Sequence, residues 1–207
     1  MTKYEWRKSE KAVYLPKQVE VRRLAPQKYL TIDGAGNPNT PAFADHIAAL
    51  YPVAYGIRMA LKRGELGDPF EYTVYPLEGL WTTSDGSRGT TLNKDALVYR
   101  LMIRQPEQVT EAAFLAARDA ALAKKNNPLI RDVRFVTSPA ETVVQAVHVG
   151  PFDTEGDTFD AMTAFATEQG LRRIPMTDDF QHREIYISDF RKVAPEKLKT
   201  CLRFRVE

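Results

Sequence analysis

Hydrophobic and polar residues alternate along several short stretches of the chain, as they do in β-strands that bury one face. Glycine, proline, serine and asparagine cluster between these stretches and predict turns. The predicted strands are 19–24, 28–34, 70–75, 77–81, 96–103, 133–136, 142–149, 182–188 and 201–206.

Three other stretches repeat their apolar residues every three or four positions, which is the pattern of an amphipathic helix. The clearest follows Thr40, a candidate cap, with Pro41 at its first position. Its apolar stripe consists of Phe43, Ile47, Leu50, Ala54, Ile57 and Leu61. Two further helices are predicted, one from Thr110 to about Lys125 and one from about Thr154 to Gln169.

The order strand, strand, helix, strand, strand occurs twice, which indicates an internal duplication. The two half-repeats cover about 19–105 and 130–207, and a linking helix at about 110–125 joins them. This order predicts two half-barrel sheets related by a pseudo-twofold axis. Ligands tend to bind in a groove between such halves. Residues 1–18 are expected to be an N-terminal arm outside the domain at 19–207.

Composition excludes several classes of protein. The 207 residues are 43% hydrophobic and 27% charged, which is typical of globular domains. A net charge of +2 gives no reason to expect nucleic-acid binding. No apolar run has the length of a membrane helix, and the charged N-terminus lacks the apolar core of a secretory signal. Cys201 is the single cysteine and suits a reducing cytosol. We expect a cytoplasmic protein that is a monomer or weak dimer.

Metal and cofactor sites are not expected. The three histidines lack the spacing of metal ligands, and no glycine-rich phosphate-binding loop is present.

The strand predicted at 182–188 carries candidate chemistry. Alternation places His182, Glu184, Tyr186 and Ser188 on one face, opposite an isoleucine-containing face that we expect to pack under helices. A carboxylate between an imidazole and a phenol is costly to bury unless it meets a partner. The strand can equally be an ordinary one whose polar face meets water. Glu78 lies in the comparable strand of the first half-repeat.

Three segments, 145–153, 182–189 and 198–203, closely resemble the GyrI-like small-molecule-binding domain. Residues 75–81 resemble the corresponding motif of the first half. The resemblance covers about residues 19–207. It implies an α+β fold in which two strand-helix-strand-strand units form a pseudo-twofold antiparallel sheet with a ligand groove between them, as in the effector-binding domains of multidrug-responsive regulators. It also implies that Glu184 lies at the base of this groove.

A stand-alone subfamily similar to this chain hydrolyses the cyclopropane of DNA-alkylating natural products of the yatakemycin type, which it holds in an aromatic cage. The resemblance implies catalytic roles for Glu184, Glu78 and Tyr186. Ligand contacts are expected from Trp81, Tyr51, Tyr55, Tyr75, Tyr99, His148, Phe152 and His182. His148 can instead be a structural hydrogen-bonding residue.

Three functions remain compatible with these residues. The protein can hydrolyse a flat, strained xenobiotic, or it can bind flat or cationic drugs without chemistry through charge and cation–π contacts. It can also act as an accessory modulator of a protein partner such as gyrase. The first two functions need the same acidic, aromatic pocket, so the sequence does not separate them.

Overall fold

The structure is a computed structural model that describes residues 2–207. Its strands are β1 Glu20–Leu24, β2 Gln27–Ala35, β3 Leu77–Thr83, β4 Leu97–Gln105, β5 Arg134–Ser138, β6 Glu141–Val149, β7 Arg173–Ile174, β8 His182–Tyr186 and β9 Lys199–Val206. Its α-helices are α1 Trp6–Ser9, α2 Lys11–Tyr14, α3 Pro41–Lys62, α4 Glu111–Lys124 and α5 Glu155–Glu168.

All these strands belong to one antiparallel sheet in the order β1-β6-β9-β8-β3-β4-β2-β5, with β7 added beside β9. The order is symmetric about its centre, where β3 of the first half pairs with β8 of the second. The first strand of each half pairs with the other half, since β1 adds to β6 and β5 adds to β2. The protein therefore has the α+β fold and the pseudo-twofold sheet that the resemblance implies.

The three longer helices, α3, α4 and α5, cover one face of the sheet, called here the helix face. The predicted stripe of α3 is buried and packs on β2 and β4, and α5 buries Met162 and Ala166 against the strands of the second half. Thr110 caps α4 as predicted, because its hydroxyl accepts a hydrogen bond from the Ala113 amide. Among residues 2–207, no helix combines the length and apolar character needed to span a membrane.

The strand predicted at 70–75 is absent from the sheet. This segment makes only a single bridge, between Tyr72 and Tyr4, and both of its backbone hydrogen bonds there are with the N-terminal segment. The aromatic residues that suggested a strand serve the core instead, since Tyr72 and Tyr75 are buried. Aromatic composition alone could not distinguish a buried irregular segment from a strand.

The opposite face of the sheet carries a layer of buried charges. Arg183 lies 2.9 Å from Glu141 and 3.8 Å from Glu78, and Arg203 donates to Gln145. This face includes Ile185, and it lies under the N-terminal segment that contains the short helices α1 and α2. Glu184 and Tyr186, with the opposite orientation, lie on the helix face.

The N-terminal segment covers this charged layer. Residues Ala12 and Val13 accept hydrogen bonds on their carbonyls from Gln145 and Arg203, and Glu10 pairs with Arg104. Trp6 and Tyr14 are almost completely buried. Residues 2–18, expected to form an arm outside the domain, therefore complete its core.

Replacing Trp6 with alanine should cost about 3–5 kcal/mol of folding free energy, as for other buried tryptophans. Urea unfolding checks this value. Leu115→Ala, an exposed apolar position on α4, is the control and should change stability little. A loss below about 1 kcal/mol for Trp6→Ala, close to the effect of a surface substitution, would mean that the N-terminal segment is dispensable for stability.

Candidate functional site

Glu184 is the centre of a hydrogen-bonded cluster on the helix face. It lies on β8 directly opposite Gly79 of β3, and its side chain is 13% exposed. One carboxylate oxygen lies 2.9 Å from His182 Nε2, and the other accepts a 2.9 Å hydrogen bond from the Tyr186 hydroxyl. The His182 ring packs edge-on against Phe159 of α5. Both oxygens of the carboxylate therefore have partners at the edge of solvent.

Tyr186 links this carboxylate to Trp81. The Trp81 indole nitrogen donates a 3.0 Å hydrogen bond to the Tyr186 oxygen, which leaves the phenol hydrogen for Glu184. Burial, and then the negative charge of Glu184, raise the pKa of Tyr186 well above its ordinary value. The phenol consequently remains a protonated donor over the physiological pH range.

Two glycines allow these aromatic rings to lie flat on the sheet. A Cβ at Gly79 would lie 2.6 Å from the Trp81 indole nitrogen and 3.2 Å from the Tyr186 oxygen. A Cβ at Gly34 would lie 2.4 Å from the ring of Tyr99, which packs on Trp81. Side chains at these positions would occupy the space that the rings fill. The glycines are therefore a steric requirement of the site.

A second carboxyl group, on Glu155 at the start of α5, lies beside Glu184. Glu155 is 6% exposed, and burial followed by the charge of Glu184 raises its pKa well above the usual range. One of its oxygens has no hydrogen-bond partner among residues 2–207. A carboxyl group that favours its protonated form therefore lies beside a second carboxyl group. The sequence did not reveal it, because an acidic residue in a first helical turn is ordinary.

His148 supports the turn that leads into α5. Its Nδ1 lies 2.8 Å from the Thr158 hydroxyl, and its Nε2 lies 3.1 Å from the Pro151 carbonyl oxygen. Both ring nitrogens are thus occupied by protein groups, and the geometry fits the structural alternative better than the ligand contact. By fixing residues 150–154, His148 also fixes the position of Glu155.

An open groove of about 1040 Å³ lies on the helix face between α3 and the connection from β8 to β9. Phe43 and Phe190 join the groove to the buried cluster: Phe43 packs 5.8 Å from Trp81, and Phe190 packs 5.5 Å from Tyr186. Tyr51 and Tyr55, a neighbouring pair, form part of its wall. Charged residues at its rim are Lys125, Asp189, Arg191 and Lys192.

The expected cage residues therefore occupy different positions. Tyr51 and Tyr55 line the groove, and Phe152, 39% exposed, packs edge-on against Tyr186. Tyr99 is buried beneath Phe43. Tyr75 donates a hydrogen bond to Glu10 and lines a smaller side chamber. Phe43 and Phe190 were missed, since a helix stripe and a loop phenylalanine resemble ordinary core residues.

Glu78 does not share a site with Glu184. In the β3–β8 pair Glu78 lies opposite Ile185, so its side chain projects from the charged face. It is completely buried beside Arg183, and burial raises its pKa. The two glutamates occupy comparable strands but opposite faces, because their positions differ by one step in the alternation of side chains. Glu78 is a poor candidate for catalysis in the groove.

Comparison with known proteins agrees with this architecture. Residues 17–207 match the model of the family described as GyrI-like small molecule binding domain. The chain belongs to the GyrI-like family. Its similarity extends over almost its full length to two crystal structures from Listeria innocua, a hydrolase and an uncharacterized conserved protein. The hydrolase is 34% identical with a TM-score of 0.84, and the second protein is 35% identical with a TM-score of 0.87; each comparison covers 99% of this chain and 100% of the other.

A more distant solved structure shares the fold alone. The C-terminal domain of EcmrR is 13% identical, with a TM-score of 0.52 over 92% of this chain and 97% of that one. The search of curated proteins gives no match. Membership of the family makes this chain a small-molecule-binding domain, and the chemistry of the site must be argued from its own residues.

Relative to the wild type, Glu155→Gln should have a more favourable free energy of folding at pH 8 than at pH 4.5. A raised folded-state pKa means that the folded protein holds this proton more tightly than the unfolded chain does. The stabilisation is complete below the unfolded pKa of about 4.3 and is lost as the pH rises toward the folded pKa. Glutamine cannot ionise, so the variant escapes this loss.

Urea unfolding at the two pH values measures the difference. Glu168→Gln, at an exposed position of the same helix, is the matched control and should show no such trend. A Glu155→Gln variant whose stability relative to the wild type is the same at both pH values would contradict the protonated state of Glu155.

Gly79→Ala should break the hydrogen bond between Trp81 and Tyr186, because the new methyl group overlaps the indole nitrogen. Overpacking of this kind costs about 1–3 kcal/mol. Near-ultraviolet circular dichroism should report the displaced indole. Gly156→Ala, where a Cβ meets nothing within 4 Å, should leave the spectrum unchanged. Identical spectra for Gly79→Ala and the wild type would show that the strand accommodates a side chain here.

Proposed function

We propose that this protein is a hydrolase that adds water to a flat, hydrophobic and strained electrophile, of which an activated cyclopropane is the best fit. The observation that carries the proposal is the pair of neighbouring carboxyl groups, Glu184 and Glu155. The hydrogen-bonded rings of Tyr186 and Trp81 connect Glu184 to Phe190 and Phe43 in the wall of the aromatic groove. Such a pair can supply a base and an acid at the same pH. The full-length likeness to a Listeria innocua hydrolase supports this class of reaction.

Water addition to the cyclopropane requires a balanced proton transfer. Glu184 takes a proton from water while the water oxygen bonds to the methylene carbon of the strained ring. The carbon–carbon bond that opens sends its electron pair into the conjugated carbonyl group, whose oxygen takes a proton from Glu155 or, through its hydroxyl, from Tyr186. A proton passed from Glu184 back to the donor then restores the starting state. The net change is the addition of one water molecule.

The walls of the groove suit a planar ligand. The rings of Tyr51, Tyr55, Phe43 and Phe190 offer stacking surfaces, which hold a rigid ring system at little entropic cost. Holding the electrophile still turns a slow bimolecular attack into an oriented one. A strained ring supplies much of the remaining driving force, so positioned acid–base help of about 10²–10⁴-fold is sufficient.

Sequestration of cationic drugs is the alternative function, and the charge at the rim opposes it. Lys125, Arg191 and Lys192 line the groove against a single acid, Asp189, which Arg191 already binds through both oxygens. A cation approaching Glu184 would pass this positive rim first. A neutral electrophile would not be repelled.

The proposal is tested by incubating the purified protein with a cyclopropane-bearing alkylating agent and measuring the product by mass spectrometry. We expect the mass of one added water. Glu184→Gln should lower the rate by about 10²–10⁴-fold while leaving affinity for the flat ligand nearly unchanged, because the aromatic walls remain.

Glu78→Gln is the matched control and should retain turnover, since Glu78 lies on the opposite face and its raised pKa favours a neutral side chain that glutamine imitates. Ligand that binds stoichiometrically to the wild type without gaining water would establish sequestration and overturn the hydrolase proposal. Equal loss in both variants would contradict the assignment of Glu184 as the base.

A further inference from the structure

A side chamber of about 220 Å³ opens beside the groove, with walls partly in common with it. The groove and the chamber share part of their lining, so one ligand can occupy the two together. The shared residues are Ile47, Tyr51, Tyr55 and 189–191. The chamber extends from this common wall toward Trp6, Arg7 and the segment 73–77. Its volume equals that of roughly seven liquid waters, which is enough for a short polar tail.

Arg7 gives the chamber its charge. Its guanidinium group is held 4.6 Å above the ring of Trp6, and one nitrogen donates a 2.6 Å hydrogen bond to the Ile187 carbonyl. Among residues 2–207, no carboxylate lies within ion-pairing distance of Arg7. Asp189, the acidic residue of the chamber lining, is bound through both oxygens by Arg191. The guanidinium is thus fixed in place, with its charge not neutralised by an acid.

Tyr51 adds a neutral donor to the same wall. Burial raises the pKa of its hydroxyl, although the nearby Arg191 opposes the shift, so the phenol keeps its hydrogen. A fixed guanidinium fork beside a phenol is an arrangement that matches the planar, two-oxygen geometry of a carboxylate. An ammonium group in the same place would meet a positive charge and no free acid.

We propose that this chamber is a second subsite of the groove, in which Arg7 binds a carboxylate carried on a short tail by a flat aromatic ligand. The ring system lies in the groove between α3 and the β8–β9 connection, and the tail turns past Tyr51 into the chamber. This inference rests on the groove being the ligand site of the proposed function, and it names one end of the ligand as anionic.

The probes are 1-pyrenebutyrate and 1-pyrenebutylamine, which have the same flat ring system and opposite charges at the end of the tail. Pyrene fluorescence measures their binding to the full-length protein at low salt. The wild type should bind the carboxylate about 10-fold more tightly than the amine, as expected for one charge-assisted hydrogen-bonded contact. Arg7→Gln should abolish this preference by weakening the carboxylate alone.

Two further variants separate a local contact from general charge or folding effects. Lys8→Gln removes a neighbouring positive charge whose side chain is 81% exposed, and it should keep the preference. Arg7→Lys keeps the charge without the planar fork and should give an intermediate preference. Thermal unfolding shows whether each variant is folded at the temperature of the titration.

Equal affinity of the wild type for the two probes, or tighter binding of the amine, would overturn the subsite. Loss of affinity for both probes in Arg7→Gln would do the same, because it would make Arg7 a structural residue. Water addition by a wild type that lacks the preference would leave the hydrolase proposal standing. Conversely, a clear preference without any water addition would leave the subsite and remove the hydrolase.

Discussion

The site depends on the register between β3 and β8, the two central strands. That register sets Gly79 opposite Glu184, and it places Trp81 where its indole reaches Tyr186 across the absent side chain. A shift by one residue would reverse the face of every side chain on β8. Arg183 would then leave the charged layer, and Glu184 would enter that layer beside Glu78, which would have lost its ion-pair partner. The chemistry of the groove is thus fixed by strand pairing.

Burying two neighbouring charged carboxylates costs folding free energy, and the structure lowers this cost by favouring the neutral form of one of them. The raised pKa of Glu155 favours its uncharged form, and Tyr186 and His182 hydrogen-bond the carboxyl group of Glu184. Removing the second charge avoids a repulsion that would otherwise have to be overcome by the fold. A protonated Glu155 also leaves a proton within the site. Stability and reactivity therefore follow from one protonation state.

Periodicity and turn chemistry predicted the three longer helices and every strand except β7, because each has a strong local pattern. The short elements α1, α2 and β7 have no such pattern and were missed. The predicted strand at 70–75 failed, since its aromatic residues pack in the core without joining a ladder. For the site, motif position correctly grouped Glu184, Tyr186 and Trp81, which the structure brings together. The face of Glu78 depended on register, and the role of Glu155 depended on the packing of α5 against β9. Neither of those long-range relations can be predicted from a local sequence pattern.

Each half of the duplicated chain gives its first strand to the other half, so β1 pairs with β6 and β5 with β2. During synthesis, β1 therefore has no strand to pair with until β6 has been made, because Glu20 pairs with Gln145. Until then β1 is an edge without a partner, and contacts between such distant segments form slowly. A single half expressed alone would have a first strand without a pairing partner and a sheet edge without its added strand. Two copies could pair these by exchanging their first strands. Two half-length chains that exchanged their first strands would therefore form the same sheet as an intertwined dimer.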